Sequence, residues 1–188
     1  MIALVLGSAE CLHADIERAR KLVDVDTCMV VACNQAVAEW PGRLDHFATM
    51  HPEEMAPWLE RRRGRGYPDG YETWTRPYPH GFKDRERMCD HVIGGWADGS
   101  SGMLALGVAI ENGGTRNLLC GIPMDTRDHF NAGAWNAAAS YRDKWEAEAG
   151  ELREATRSFS GWTAGLLGRP TPEWIAKPCR LDTPQASG

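Results

Sequence analysis

The chain has no excess of basic residues, no Cys-x-x-Cys pair, no long apolar run and no internal repeat. A formal charge of −5 over 188 residues argues against a general nucleic-acid binder, whose footprint is basic. Lysine is scarce: Lys21, Lys83, Lys144 and Lys177 stand among many arginines, and no arginine cluster pairs with an aromatic platform suited to RNA. No apolar run approaches the roughly 20 residues that span a bilayer, so no membrane span is expected. The segment from Met1 to Gly7 lacks a basic leader and reads as a first strand, not a signal. Cys11, Cys28, Cys33, Cys89, Cys120 and Cys179 lie mostly inside apolar runs. That context predicts reduced, buried thiols in a cytoplasmic protein, not a disulfide framework or a zinc site.

What is present alternates between two periods. Ile2–Leu6 is a continuous apolar strand, and Leu12, Ile16, Ala19 and Val23 follow at helical spacing. Thr27–Ala32 reads as a second strand, ending at Cys33-Asn34-Gln35. A short helix carries Ala36, Val37 and Trp40 until Pro41-Gly42 stops it. A third strand is expected over Asp45–Met50, ending at His51, and a helix over Glu53–Arg63. The pattern then dissolves from Gly64 to Arg87, with a short strand expected over His91–Gly94. The stretch Gly99–Asp125 is the most informative: a small-polar turn opens an apolar helix over Ser101–Asn112, Gly113-Gly114 ends it, and a buried strand runs from Asn117 to Ile122. Ala132–Arg157 has high helix propensity, with Arg142/Glu146 and Lys144/Glu148 at i,i+4. The tail beyond Ser160 is expected to pack with little regular structure.

This length fits one domain. The reading is a single α/β domain over residues 1–182, with an irregular insertion at about 64–90, a helical extension at about 132–178 and a flexible tail at 183–188. Apolar strands alternating with helices imply a mainly parallel sheet covered on both faces. Ligands of such sheets bind outside the carboxyl ends of the strands. That rule selects Gly7, Ser8, Asn34, Gln35, His51, the stretch from Trp96 to Gly102, and the stretch from Pro123 to His129.

The order of these residues resembles a known pattern. Gly7-Ser8, Cys33-Asn34, Ser101-Gly102 and Gly121-Ile122 follow the outline of the Rossmann-like superfamily. That superfamily joins bacterial sialyltransferases, which use a cytidine-monophosphate sugar, to the motility-accessory-factor and hydroxymethyl-dihydropterin pyrophosphokinase proteins. The resemblance covers about residues 1–130. It implies a Rossmann-like three-layer domain, a nucleotide-activated donor as substrate, and Ser8, Asn34, Ser101 and Gly102 as nucleotide contacts. Two departures stand out. The first turn, Gly7-Ser8-Ala9-Glu10-Cys11, lacks the family's second glycine. Pro123 stands where an acid often follows the Gly-x of the later strand, and Asp125 comes two residues on.

Each candidate has an ordinary reading beside the functional one. Ser100, Ser101 and Gly102 either hold phosphate or ribose at a helix start or form a plain N-cap. Asn34 either bonds a base or ribose or closes a turn. Asp125 could hold Mg²⁺ against phosphates, and His129 or His51 could move a proton; each could equally be a solvated loop residue. Alternation points His46 and His51 to opposite faces, so no metal site is assigned. The run Arg61–Arg65 is either an anion clamp or a solvated helix end. Trp96, just before the Ser-Ser-Gly turn, is the aromatic best placed to stack on a base. The leading expectation is a glycosyltransferase-like, nucleotide-dependent transferase acting on a small-molecule nucleotide ligand. The alternatives are a non-catalytic nucleotide-binding module and an ATP-dependent pyrophosphokinase-like enzyme. The oligomeric state stays open.

Overall fold

A computed structural model describes residues 1–96, 100–130, 133–134 and 136–177. Its strands are β1 (Ile2–Leu6), β2 (Met29–Cys33), β3 (His46–Ala48), β4 (Glu72–Thr75), β5 (His91–Val92), β6 (Arg116–Cys120), β7 (Asp128–His129), β8 (Gly133–Ala134) and β9 (Thr156–Ser158). Its helices are α1 (Leu12–Arg20), α2 (Ala36–Glu39), α3 (Met55–Gly64), α4 (Ser101–Glu111), α5 (Arg142–Ala155), α6 (Gly161–Leu167) and α7 (Pro172–Ala176). One sheet runs β5-β4-β3-β2-β1-β6-β9, with every neighbouring pair parallel. A small antiparallel pair, β7-β8, stands apart.

The strands of the sheet centre are apolar throughout because both faces are covered. Along β1, Ala3 and Val5 pack on α4 and on Trp145, Ala149 and Leu152 of α5. Leu4 and Leu6 face the other way, onto Leu12 and Ile16 of α1, Val37 of α2 and Trp58 of α3. This is the expected α/β, Rossmann-like layering. α4 lies across β1, β2 and β3 and is apolar all round, with every residue from Ser101 to Ala109 buried. Chain direction places the sheet's switch point between β1 and β6: the chain builds outward from β1 through β2 to β5, then returns to β1's other side. Among the described residues, no helix is long and apolar enough to cross a membrane.

Three expectations are corrected. The irregular stretch 64–90 contains β4 and a 3-10 segment, His80–Met88. β4 reads Glu-Thr-Trp-Thr and lies next to the edge strand, so it has no apolar signature. It is held instead by Asp90, whose carboxylate accepts from Thr73 N at 2.9 Å and from Thr73 Oγ1 at 2.8 Å. The helix expected through Arg157 ends at Ala155, and Thr156–Ser158 form β9 beside β6. Asn117 stops the helix there by donating its side-chain amide to Ala155 O at 3.2 Å. The tail is not irregular either, since α6 and α7 occupy it. Ser160 anchors the start of α6 by donating to the wholly buried Asp15 at 2.5 Å. The expected flexible tail, Thr183–Gly188, lies outside the described residues.

Within the arginine run, Arg63 and Arg65 are exposed at the helix end as the ordinary reading has it, but Arg62 has a different role. Arg62 is fully buried. It donates to Val37 O at 2.9 Å, Trp40 O at 2.7 Å and Gly42 O at 3.0 Å, and to Pro68 O through both Nε (2.9 Å) and Nη2 (2.6 Å). Those carbonyls sit at the end of α2 and in the loop after α3, so one guanidinium ties three segments together.

Candidate functional site

The loops after β1 and β6 meet at two glycines. Gly7 N donates to Cys120 O at 2.8 Å, and Ala9 N donates to Gly121 O at 3.2 Å. A Cβ on Gly7 would collide with the Gly121 carbonyl, and one on Gly121, which has φ +70°, would lie 2.5 Å from Gly7 O. Only glycine lets the two backbones approach this closely. Above the crossing opens a cleft of about 160 Å³. Its walls are Gly7 and Ser8 after β1, Cys33 and Asn34 after β2, Met50 and His51 after β3, Ser100–Gly102 at the start of α4, and Gly121–Met124 after β6, together with His129 and Tyr141.

Ten of the residues selected from sequence therefore share one cleft: Gly7, Ser8, Asn34, His51, Ser100, Ser101, Gly102, Pro123, Met124 and His129. Its backbone is unusual. Among the described residues, positive φ in non-glycine residues occurs at Asn34 (50°), Ser100 (110°) and Met124 (50°), and all three line this cleft. Asparagine adopts this region readily, but for Ser100 and Met124 such conformations cost of order 1–3 kcal/mol each and persist only where the surroundings hold them. Here they are held. Thr49 Oγ1 donates to Asn34 Oδ1 at 2.8 Å. Arg142 donates to Met124 O through Nε at 2.9 Å and Nη2 at 2.8 Å. Ser100 caps α4, its hydroxyl accepting from Met103 N at 3.4 Å.

Ser8 has a bridging role, donating to Cys33 O at 3.2 Å and accepting from Ala36 N at 3.3 Å. Ser101 and Gly102 are the first residues of α4, where backbone N–H groups lack intrahelical partners and carry the positive end of the dipole. Among the described residues no lysine or arginine lines the cleft, and this helix end is the main positive feature they supply. Gly102 is required by packing, since a Cβ there would lie 2.9 Å from Ile122 Cγ2. His129 is half-buried and tied to the first loop by the bridge to Ala9 and by Phe130 N donating to Ser8 O at 3.0 Å. Burial holds its pKa below the usual imidazole value, against the opposing pull of the Asp125 and Asp128 carboxylates. Cys33 is a poor nucleophile: burial pushes its thiol up to about 12. Cys11, Cys28, Cys33, Cys89 and Cys120 are all free.

Three selected residues are not brought to the cleft. Trp96 packs its indole into the notch left by Gly107, roughly 9 Å along the α4 axis from Ser101 at 1.5 Å per residue. Asp125 turns toward the start of α6 and pairs with Arg127 at 2.9 Å, and a Cβ on Gly161 would lie 2.6 Å from its Oδ2. Gln35 opens α2 with its side-chain Oε1 buried and unpartnered among the described residues. Sequence reasoning misses Tyr141 and Arg142, which the helical pattern absorbs into one long helix. Met124 lies in the selected stretch after the strand, but nothing local marks it for positive φ. Among the described residues, no three His, Cys, Asp or Glu side chains gather in a way that could hold a metal ion. No family model, no curated protein and no solved structure matches this chain.

Proposed function

We propose that this chain is a nucleotide-dependent transferase, glycosyltransferase-like in using a nucleotide-activated donor. The observation that carries the reading is the convergence of Asn34, Ser100 and Met124, all at positive φ, on one cleft at the sheet's switch point. Strain of this kind concentrates where a ligand is clamped, and the switch point is where such sheets bind ligands. The N-terminus of α4 suits a phosphate, and the Ser101 hydroxyl beside it suits a phosphate or ribose oxygen. The enclosed volume is below the roughly 300–1,000 Å³ of a complete small-molecule pocket. It therefore takes the phosphate–ribose part and leaves the transferred group at the open rim. His129 and His51 both line the cleft. His129, neutral at pH 7, is the group assigned to take the acceptor's proton. The resemblance to the cytidine-monophosphate-sugar transferases supports the same placement of Ser8, Asn34, Ser101 and Gly102.

A non-catalytic nucleotide-binding module is the second reading. It is favoured by the lining, which among the described residues includes no Asp or Glu. The pyrophosphokinase-like reading loses its anchor, because Asp125, the residue expected to hold Mg²⁺, is engaged by Arg127 away from the cleft. A thermal-shift screen with CMP, UDP, ATP, NAD and their sugar conjugates tests the proposal. A ligand that binds only the native state raises the melting temperature by mass action. The transferase reading expects a sugar conjugate to stabilise and to be consumed when acceptors are added. Stabilisation without turnover supports the binding module, and no stabilisation by any nucleotide contradicts both.

A further inference from the structure

We infer that Arg76 forms a second, oxyanion-binding subsite beside the cleft, for a carboxylate or phosphate group on the acceptor. The inference rests on the transferase reading for the word acceptor, but the site itself stands on its own geometry. Arg76 is the first residue after β4, so it lies at the carboxyl edge of the sheet, the same edge as the cleft. It is half-buried, and its Nε is buried with no hydrogen-bond partner among the described residues. Nor does its guanidinium make an ion pair or hydrogen bond to any described residue. Burying part of a charge without a partner is unfavourable. A structure that keeps such a group in place leaves it short of an anion.

The guanidinium is nonetheless positioned. It lies over the Tyr78 ring, 4.8 Å from the centroid. That ring is fixed at both ends: its hydroxyl donates to Met50 O, and its backbone N donates to Glu86 at 2.6 Å. Met50 and its neighbour His51 are cleft walls, so the aromatic platform under Arg76 is bonded directly to the cleft. Arg85 lies over the same ring at 5.5 Å but is already committed, pairing with Glu53 at 3.0 Å. Of the two arginines on Tyr78, one is neutralised and the other is not. Nε is closed off, but the two terminal nitrogens are not, and that edge of a guanidinium can make two parallel bonds to a planar or tetrahedral oxyanion. Among the described residues the cleft lining holds no lysine or arginine, so an acidic acceptor approaching His51 would find its counter-charge in Arg76.

The test reads Arg76 itself. Inorganic phosphate and malonate are titrated separately into the ligand-free protein, and the arginine Nε–Hε resonances and backbone amides are followed by NMR. The Arg76 signal is assigned from its absence in Arg76→Lys and Arg76→Gln. The subsite predicts a saturable shift of that signal by at least one anion. It also predicts affinity about tenfold weaker in Arg76→Gln, partial retention in Arg76→Lys, and unchanged nucleotide affinity in both. The anion that binds tighter identifies the acceptor group as phosphate ester or carboxylate. No shift at Arg76, or shifts confined to the Ser101 and Gly102 amides, overturns the subsite. So does a nucleotide affinity that falls with the substitution, because Arg76 would then belong to the donor site. Failure of the nucleotide screen alone leaves the Arg76 result standing and removes only the word acceptor.

Discussion

The carbonyl of Gly121 occupies the space in which a side chain on Gly7 would sit. Two loops at the carboxyl ends of neighbouring strands thus cross at backbone distance, and their crossing is the floor of the cleft. Gly7→Ala should force them apart. Overpacking a rigid site costs about 1–3 kcal/mol, and here the obstacle is backbone, so the upper part of that range is expected. Chemical denaturation measures it. The same variant should lose ligand stabilisation in the nucleotide screen, because the floor moves.

Arg62 should be as important to stability as a large core residue. Each buried carbonyl left without its donor costs about 1–3 kcal/mol; the bonds from this side chain to Val37 O and Trp40 O are buried, and those to Gly42 O and Pro68 O partly so. Arg62→Leu is expected to lose at least about 3 kcal/mol, whereas Arg63→Leu, an exposed neighbour, should change stability by less than about 0.5 kcal/mol. Equal effects in denaturation would show that the buried network contributes nothing.

Much of this architecture could be read from the chain because it rests on local periodicity. The helix expected over Ser101–Asn112 is found at Ser101–Glu111, and the strand expected over Asn117–Ile122 at Arg116–Cys120. The cleft was equally legible, since strand ends are set by the strands and the binding rule concerns only those ends. β4 and β9 were not legible. Both are short and polar, and each owes its existence to partners distant in sequence: Asp90 for β4 and Asn117 for β9. Asp125 and Trp96 were placed at strand or helix ends correctly, but side-chain direction was decided by Arg127 and by the notch at Gly107. No local pattern encodes such tertiary contacts.

Acid should weaken the fold before the carboxylates begin to titrate. Burial lowers the pKa of both His46 and His129 in the folded chain. The unfolded chain, with histidines near 6.5, therefore takes up protons first as pH falls. Stability is unaffected by these groups above about pH 6.5 and declines below it toward their folded values. Melting temperatures between pH 7 and pH 5 should show this slope, and the double variant His46→Gln/His129→Gln should flatten it. An unchanged slope would assign the acid sensitivity to other groups.

Catalysis should separate the two cleft histidines. A positioned acid or base contributes about 10²–10⁴-fold in rate. His129→Ala should lose turnover by that factor while nucleotide affinity stays near the parent's. His51→Ala is the comparison, because His51 is more exposed and stands over β3. If both variants turn over like the parent, proton transfer belongs to neither.

The central claim is that the start of α4, together with Asn34, holds the nucleotide. Backbone amide NMR with a stabilising nucleotide tests it most directly, as each amide reports its own surroundings. The largest, saturable shifts should fall on Asn34, Ser101 and Gly102. Ser101→Ala should weaken binding while leaving the melting temperature of the ligand-free protein unchanged. Shifts gathered instead around Trp96, Ile110 and Leu152, which line a separate cavity of about 460 Å³ between α4 and α5, would contradict that claim.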